Sequence, residues 1–154
     1  MIQRREAITI RPFQPADQAE AKALILAGLV EHWGFLDPTL NPDLDDIASH
    51  YAEATFVIAR QGGRLVGTGA LVPRSTAQAE IVRMSVAKEL RRQGIGRLLL
   101  HRLCLSAQAQ GFQQVILETT DTWHGVIRFY QQFGFQLTHY HAGDVYFALE
   151  LADQ

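Results

Sequence analysis

A segment rich in glycine and arginine, residues 91–97, joins a predicted strand over residues 81–86 to a predicted helix. The first N–H groups of a helix have no intrahelical partner, and they carry the positive end of the helix dipole. Gly94 and Gly96 lack a Cβ, so an anion can approach the backbone closely. The arginines add charge-assisted donors, and a diphosphate suits such a segment best. The predicted ligand-binding residues are Arg91, Arg92, Gln93, Gly94, Ile95, Gly96 and Arg97.

Two further features indicate which kind of diphosphate site this is. The dinucleotide-binding fingerprint requires a third glycine, where this chain has Leu99. A second motif, Phe-Tyr-x-x-x-Gly-Phe over residues 129–135, ends a later predicted helix. Together with Arg-x-x-Gly-x-Gly over residues 91–96, it resembles the GCN5-related N-acetyltransferase (GNAT) superfamily. The matching order of strand, loop, helix, strand and helix extends over residues 79–135.

The resemblance implies a fold, a cosubstrate and a reaction. The fold is α/β, a single GNAT-like domain over residues 1–154, with a mixed central β-sheet flanked by helices and a bulged strand before the pyrophosphate loop. The cosubstrate is acetyl-CoA, whose thioester and pantetheine are bound by the strand backbone at Met84 and Val86. The reaction is the direct attack of a primary amine on the thioester in a ternary complex. Without the resemblance, Met84 and Val86 are simply core residues.

The amine acceptor needs a base, because an aliphatic amine with a pKa near 10.4 is almost entirely protonated at pH 7. Glu80 is the first candidate, since it precedes the first loop residue by eleven positions, as the basic glutamate does in the histone-acetylating branch of the family. Strand alternation places Glu80 on the same side as Met84 and opposite Arg83, unless a bulge shifts the parity. The alternatives are Glu118, His124 or a water chain as the base, with Glu80 a solvated surface residue.

Tyr130 is the predicted general acid for the leaving thiolate, because the tyrosine of the family's motif points at the CoA sulfur. The spacing has a second explanation, since Val126, Phe129, Tyr130 and Phe133 follow the i, i+3, i+4, i+7 pattern of a buried helix face. A thiol with a pKa near 8.5 gains only about 2 kcal/mol from protonation at pH 7. We therefore expect loss of the Tyr130 hydroxyl to reduce turnover without abolishing it.

Two positions depart from the pattern of the family. Lys88 stands where many members have a proline after the strand. Trp123 stands seven residues before the tyrosine, where asparagine is frequent. The second change removes an expected contact with pantetheine or ribose, and His124 is the candidate substitute.

The acceptor site is, by the resemblance, formed by residues 31–46 and 140–146. Carboxylates in the first segment suit a cationic amine such as a polyamine, an amino sugar or a lysine-like group, and Arg83 suits a carboxylate. The alternative interpretation is a solvated acidic loop followed by a helix cap. The carboxylates belong to Asp37, Asp43, Asp45 and Asp46, and the neighbouring aromatic residues are Trp33 and Phe35.

Composition and charge restrict the class of protein. With 154 residues, of which 47% are hydrophobic and 19% charged, the chain is long enough for one domain with a core. A formal net charge of −2 without a basic run argues against a nucleic-acid partner. The six histidines are scattered, so no metal site is predicted. No signal peptide or membrane span is recognisable, which predicts a cytoplasmic protein without a membrane partner.

Apolar periodicity predicts alternating strands and helices. Asp17 is the predicted N-cap of the first helix, with Glu20 as its capping-box partner. The predicted strands cover residues 8–11, 55–60, 65–72, 81–86, 114–119, 136–141 and 145–151. The predicted helices cover a segment that follows Asp17 and runs to about residue 31, residues 43–52, residues 95–110 and a last segment that ends in the motif at residues 128–135.

The sequence therefore predicts an acetyl-CoA-dependent N-acetyltransferase that acts on a small-molecule or peptide amine, in a fold compatible with a homodimer. The alternative is a non-catalytic acyl-CoA-binding sensor or regulatory module. Such a module would keep the loop over residues 91–97 but would have no use for Glu80 or Tyr130.

Overall fold

The computed structural model describes residues 7–37 and 39–152. The strands are β1 Ile8–Pro12, β2 Thr55–Gln61, β3 Arg64–Pro73, β4 Gln78–Val86, β5 Gln114–Thr120, β6 Gln136–His141 and β7 Asp144–Glu150. The helices are α1 Gln18–Trp33, α2 Ile47–His50, α3 Ile95–Ala109 and α4 His124–Phe133. Short 3-10 turns cover Pro15–Asp17, Pro42–Asp45 and Lys88–Leu90.

The strands form a seven-stranded sheet in the order β1-β2-β3-β4-β5-β7-β6. The pair β4–β5 is parallel and is connected by α3, while the other neighbouring pairs are antiparallel. This topology requires a crossover helix only at the parallel pair, and short turns suffice at the hairpins β2–β3 and β6–β7. The predicted mixed central sheet flanked by helices is confirmed.

Apolar residues on the two faces of the sheet pack into two separate cores. Leu99 and Leu103 of α3 pack with Tyr130 of α4 on one face. On the other face, Ala21 and Ile25 of α1 form the second core with residues of the 3-10 turn Pro42–Asp45, α2, β2 and β3. Because side chains alternate along a strand, β2 and β3 contribute to both cores. The central strands are therefore held from both sides.

The predicted helix over residues 43–52 is wrong in detail. The segment contains a 3-10 turn and then α2, which is a single turn long. Asp46 separates them because its φ of −149° is not helical, and its side chain accepts a hydrogen bond of 3.1 Å from the Ser49 N–H. The carboxylate of Asp46 thus caps α2, and the preceding 3-10 turn does not continue into this helix.

The strand before the loop contains the expected bulge. On β3, Gly69 alone faces both Arg83 and Met84, because the register slips between Thr68 and Ala70. Arg83 has a φ of 56°, which is uncommon for a residue with a side chain. The buried Thr68 hydroxyl donates a hydrogen bond of 2.8 Å to the Arg83 carbonyl. A Cβ at Gly69 would lie 2.7 Å from Met84 Sδ, so glycine is required opposite the bulge.

β4 and β5 separate after a short stretch of parallel pairing. They pair only over Gln78–Glu80 and Gln114–Ile116. Among the described residues, the remainder of β4, residues 81–86, has no strand partner on the β5 side. The two strands therefore enclose a slot that is closed near Glu80 and open towards the loop at residues 91–97.

Asp17 precedes α1 as predicted, but its carboxylate does not cap this helix. It is 1% exposed and accepts hydrogen bonds from Arg11 at 2.7 Å, Arg60 at 2.8 Å and the Gln14 N–H at 2.9 Å. Glu20, the expected capping-box partner, instead accepts a hydrogen bond from Arg60. The hydrogen bond from Arg11 holds the pKa of Asp17 well below its usual range, with Arg60 and Gln14 acting in the same direction.

We expect Asp17→Asn to lower the free energy of unfolding by roughly 3 kcal/mol, because it removes the buried carboxylate that pairs with two arginines. The matched control is Asp45→Asn, which breaks an exposed pair with Lys22 and is expected to cost about 1 kcal/mol or less. Chemical denaturation at pH 7 measures both. Equal losses in the two variants would contradict this role of Asp17.

The contribution of Asp17 to the free energy of unfolding also depends on pH. Because the folded-state pKa of Asp17 is depressed, its contribution is fully present above the unfolded-state pKa of about 3.9 and is lost as the pH falls through the lower, folded-state value. The stability difference between the wild type and Asp17→Asn should therefore shrink as the pH is lowered from 7 towards 2.

Candidate active site

The loop at residues 91–97 turns directly into the first turn of α3. Leu98 donates the first intrahelical hydrogen bond, to the Gly94 carbonyl at 3.0 Å, so the N–H groups of residues 95–97 precede this ladder. Arg92 and Gly94 have φ values of 64° and 89°. Left-handed residues in such a loop turn successive N–H groups towards a common point, which forms an anion-binding concavity. The backbone is therefore arranged as the sequence motif predicts.

The three arginines of the loop have different surroundings. Arg91 Nε donates to the Val86 carbonyl at 3.3 Å, and Arg91 Nη1 donates to Glu31 at 2.6 Å. Arg92 and Arg97 are exposed and have no ion pair among the described residues. Arg91 thus ties the loop to β4 and α1, whereas the other two side chains are available to an anion.

The remaining loop residues contribute through their backbone or their small size. Ile95, the first residue of α3, is 2% exposed and packs in the core, so only its main chain can face a ligand. Gly96 lies against α4, where a Cβ would be 3.4 Å from Phe129 Cζ. Gly94 has no atom within 4 Å of its Cβ position, which leaves open space in front of the loop. Gln93 is exposed.

The side chains of Met84 and Val86 face the core on the α3 side of the sheet. Met84 Sδ lies next to Gly69, and Val86 Cγ2 lies close to Gly96. Both residues belong to the part of β4 that has no partner on the β5 side. A ligand in the slot would therefore meet the main chain of these residues, as the resemblance implies.

Glu80 lines a cavity of about 550 Å³ on the other face of the sheet. Its side chain is 17% exposed, and Arg74 Nε donates a hydrogen bond of 2.7 Å to its carboxylate. Glu118, the alternative base, lines the same cavity from β5. Both glutamates also line a second cavity of about 450 Å³ between β5 and the β6–β7 hairpin. The two carboxylates therefore lie where the two cavities meet.

The predicted parity of β4 is wrong because of the bulge. Glu80, Val82 and Arg83 line the same cavity, whereas Met84 packs on the opposite face. The extra residue in the bulge re-aims every side chain that follows it. Arg83 is thus on the same side of β4 as Glu80 instead of the opposite side. β4 therefore lines both the slot and the charged cavity.

The carboxylates that were expected to bind a cationic amine have partners within the protein. Asp43 accepts hydrogen bonds from Arg83 at 2.7 Å and from the Tyr51 hydroxyl at 2.6 Å. These partners lower the pKa of Asp43 although desolvation by burial, the largest single effect, raises it. Asp45 pairs with Lys22 at 2.7 Å, and Asp37 accepts from Thr39. Arg83 is likewise engaged, by Asp43 and by Asn41 at 3.1 Å.

Tyr130 is 8% exposed and packs against Phe129, Phe135 and Phe147. Desolvation by burial raises the pKa of its phenol to about 12. Its hydroxyl has no hydrogen-bond partner within residues 7–37 and 39–152. Tyr130 is thus protonated at neutral pH, and its donor is not engaged by the protein.

Sequence reasoning missed three contacts at this site. Arg74 reaches Glu80 from the turn between β3 and β4. The Glu118 carboxylate lies beside the Tyr146 phenol and raises its pKa. Glu31 reaches Arg91 across 60 positions of sequence. The first contact crosses the turn between β3 and β4, and the other two join residues that are distant in sequence, so neither apolar periodicity nor the loop motif indicates them.

His124 is exposed at the start of α4, and Trp123 before it stacks on His32 at the end of α1 with ring centroids 4.0 Å apart. Trp33 also contacts Trp123, at 5.6 Å. The position where asparagine is frequent in the family therefore makes an aromatic contact between α1 and α4.

Residues 20–135 match the model of the acetyltransferase (GNAT) family. The match covers most of the chain, including the loop and both candidate catalytic residues. The chain belongs to the GNAT family. Its expected resemblance to this family is confirmed.

N-acetyltransferase family 8 member 2 of Rattus norvegicus is 36% identical over 109 residues, which cover 66% of this chain and 48% of the relative. The chain spans about half the length of the curated relatives it matches. A GNAT-family acetyltransferase from Staphylococcus aureus Mu50 has a TM-score of 0.85 at 22% identity, over 95% of this chain and all of that one. PaiA N-acetyltransferase from Thermoplasma acidophilum, solved in complex with coenzyme A, has a TM-score of 0.83 at 17% identity, over 94% and 99% of the two chains.

Residues 7–37 and 39–152 contain neither a metal-binding cluster nor a membrane-spanning helix. No group of three or more His, Cys, Asp or Glu residues in these ranges is arranged to hold a metal ion. None of the helices described there is long and apolar enough to cross a bilayer.

We expect Gly94→Ala to raise the dissociation constant of coenzyme A about tenfold or more. A side chain at a φ of 89° costs roughly 1–2 kcal/mol, and the added methyl group enters the open space in front of the loop. Gly111→Ala is the matched control, since Gly111 has a φ of 87° and equally open surroundings but lies outside the loop. Calorimetric titration should show weakened binding only for Gly94→Ala, although both variants lose stability. Equal affinities would contradict a role of the loop in binding.

Proposed function

We propose that this chain is an acetyl-CoA-dependent N-acetyltransferase that transfers the acetyl group directly to a primary amine. The observation that carries the proposal is the slot between β4 and β5, which begins at the glycine–arginine loop and closes near Glu80. A strand rises about 3.3 Å per residue, so residues 81–86 span roughly 17 Å. That length suits an extended pantetheine arm whose diphosphate lies on the loop and whose thioester lies near the closed end.

The closed end of the slot offers the groups that acyl transfer needs. At pH 7, freeing the lone pair of an aliphatic amine costs on the order of 4–5 kcal/mol. A carboxylate can accept that proton directly or through water. Glu80 is the proposed base because it lies at the point where β4 and β5 separate, and Arg74 holds its carboxylate. Backbone N–H groups of β4 without a strand partner would stabilise the oxyanion.

Tyr130 is proposed to donate a hydrogen bond to the leaving sulfur. With its pKa raised to about 12, the phenol is a weaker acid than a thiol with a pKa near 8.5. Complete proton transfer from Tyr130 to the thiolate would then be uphill by about 5 kcal/mol. Stabilisation of the thiolate by a neutral donor, with the proton supplied later from solvent, agrees better with these acidities.

The acceptor is proposed to be a small-molecule or peptide amine that enters by the cavities next to Glu80. Asp43 pairs with Arg83, and Glu80 pairs with Arg74. Glu53 and Glu118 also line the cavity of about 550 Å³ and have no ion pair among the described residues. An amine panel should therefore include neutral aromatic amines, amino sugars, polyamines and lysine peptides. Free thiol released from acetyl-CoA reports turnover for every acceptor in the same assay.

In that assay we expect Glu80→Gln to lower kcat/KM by roughly 100-fold or more, because it removes the base and keeps the size of the side chain. Affinity for coenzyme A should change little. Glu118→Gln is the comparison, since Glu118 lines the same two cavities. A larger loss in Glu118→Gln would move the base to β5. If neither substitution lowers turnover, the proposed base is wrong.

Tyr130→Phe should lower kcat by roughly 10- to 100-fold, because a hydrogen bond to a charged group is lost while the buried ring is retained. The matched control is Tyr140→Phe, which removes a hydroxyl from a residue that is 64% exposed and should leave kcat unaltered. A folded Tyr130→Phe variant with no turnover at all would show that the phenol does more than stabilise the thiolate. Binding of acetyl-CoA by the wild type without turnover of any amine would favour the sensor module.

A further inference from the structure

The last turn of α1 contacts the two segments that follow β4 and β5. On one side, Glu31 accepts a hydrogen bond of 2.6 Å from Arg91, the first residue of the loop. On the other side, the neighbouring His32 stacks on Trp123, which precedes α4. α1 itself is anchored in the core by Ala21 and Ile25. The end of α1 is thus connected to the segments that follow β4 and β5.

Arg91 is held at two of its three nitrogen atoms. Nε donates to the Val86 carbonyl at 3.3 Å, and Nη1 donates to Glu31. No partner of Nη2 is found among the described residues. Because the guanidinium is planar, fixing two nitrogens also fixes the direction of the third.

The position of Glu31 is unfavourable for α1 considered alone. A carboxylate in the last turn lies at the negative end of the helix dipole, where a cation is preferred. Arg91 offsets this locally: its hydrogen bond lowers the pKa of Glu31, and Lys88 and His32 act in the same direction. Glu31 is thus unfavourable for its own helix but forms a hydrogen bond with the loop at residues 91–97. Such a residue is a candidate for a role in function.

We propose that Glu31 is a positioning residue for the diphosphate of acyl-CoA, and that it acts through Arg91. The carboxylate holds the guanidinium and the start of the loop at β4 before the ligand arrives, so that less conformational entropy is lost on binding. This inference rests on the proposed function, because it requires that the loop binds the diphosphate.

The negative charge of Glu31 also repels a diphosphate, and this repulsion alone would weaken binding of the ligand. Glu31 and Arg91 are 30% and 36% exposed, and the repulsion is therefore screened by water and salt. The ordering of a long arginine side chain on binding is not reduced by screening. Removal of Glu31 is therefore expected to weaken ligand binding.

The test is calorimetric titration with coenzyme A of the wild type, Glu31→Ala, Arg91→Ala and the double variant. Glu31→Ala should raise the dissociation constant roughly three- to tenfold, and the double variant should bind no more weakly than Arg91→Ala. In the thiol-release assay, KM for acetyl-CoA should rise while kcat stays within about twofold. Glu31→Gln keeps an acceptor oxygen and should recover part of the affinity; it also replaces Glu31→Ala if that variant does not fold.

Glu89→Ala is the matched control for charge. Glu89 lies in the turn that precedes the loop and pairs with Arg64, without a bond to Arg91. Its removal takes a negative charge away from the neighbourhood of Arg91 and should leave the dissociation constant within about twofold.

Three results would overturn the inference: tighter or unaltered binding in Glu31→Ala, additive effects in the double variant, or an equal effect of Glu89→Ala. A lower melting temperature of Glu31→Ala with unaltered affinity would show a purely structural ion pair. Failure of the wild type to bind coenzyme A would instead overturn the proposed function.

Discussion

The bulge at Arg83 and Met84 is the constraint on which the site depends. An extra residue in β4 increases its local twist, and the part of this central strand that contains the bulge lacks a ladder partner on the β5 side. Unpaired main-chain groups in the middle of a sheet are costly unless a ligand or water satisfies them. The fold therefore keeps a position where an extended ligand can take the place of a strand. Gly69 and the buried Thr68 hydroxyl hold the bulge in this conformation.

The same bulge connects the two halves of the proposed chemistry. It leaves Met84 on the face of the sheet that packs against α3, and it turns Arg83 into the cavity beside Glu80. The base, the slot and the acceptor cavity are thus set by one short stretch of chain. The loop at residues 91–97 follows after the 3-10 turn Lys88–Leu90, so the distance between the proposed diphosphate site and Glu80 depends on β4 and this turn.

Local patterns predicted the strands and the helices other than that over residues 43–52, because apolar periodicity and turn residues can be recognised from neighbouring positions in the sequence. The direction of Arg83 could not be predicted, since a bulge changes parity without a signal in the strand itself. The aspartates of the α1–α2 region illustrate a second limit. Their count suggested a cation site, yet Asp43 is occupied by Arg83, 40 positions away in sequence. Long-range pairs of this kind decide which charges remain available.

The most direct test of this account is amide hydrogen exchange with and without acetyl-CoA, before any acceptor is added. We expect slower exchange at the N–H groups of residues 81–86 that face the β5 side, where β4 has no strand partner, and at residues 95–97, which precede the first intrahelical hydrogen bond of α3. These groups would bind the thioester arm and the diphosphate. Residues 8–12 and 55–61, which are already paired in the sheet, should exchange as before. Unaltered exchange over residues 81–86 with saturating acetyl-CoA would contradict the claim that the slot is the acyl-CoA site.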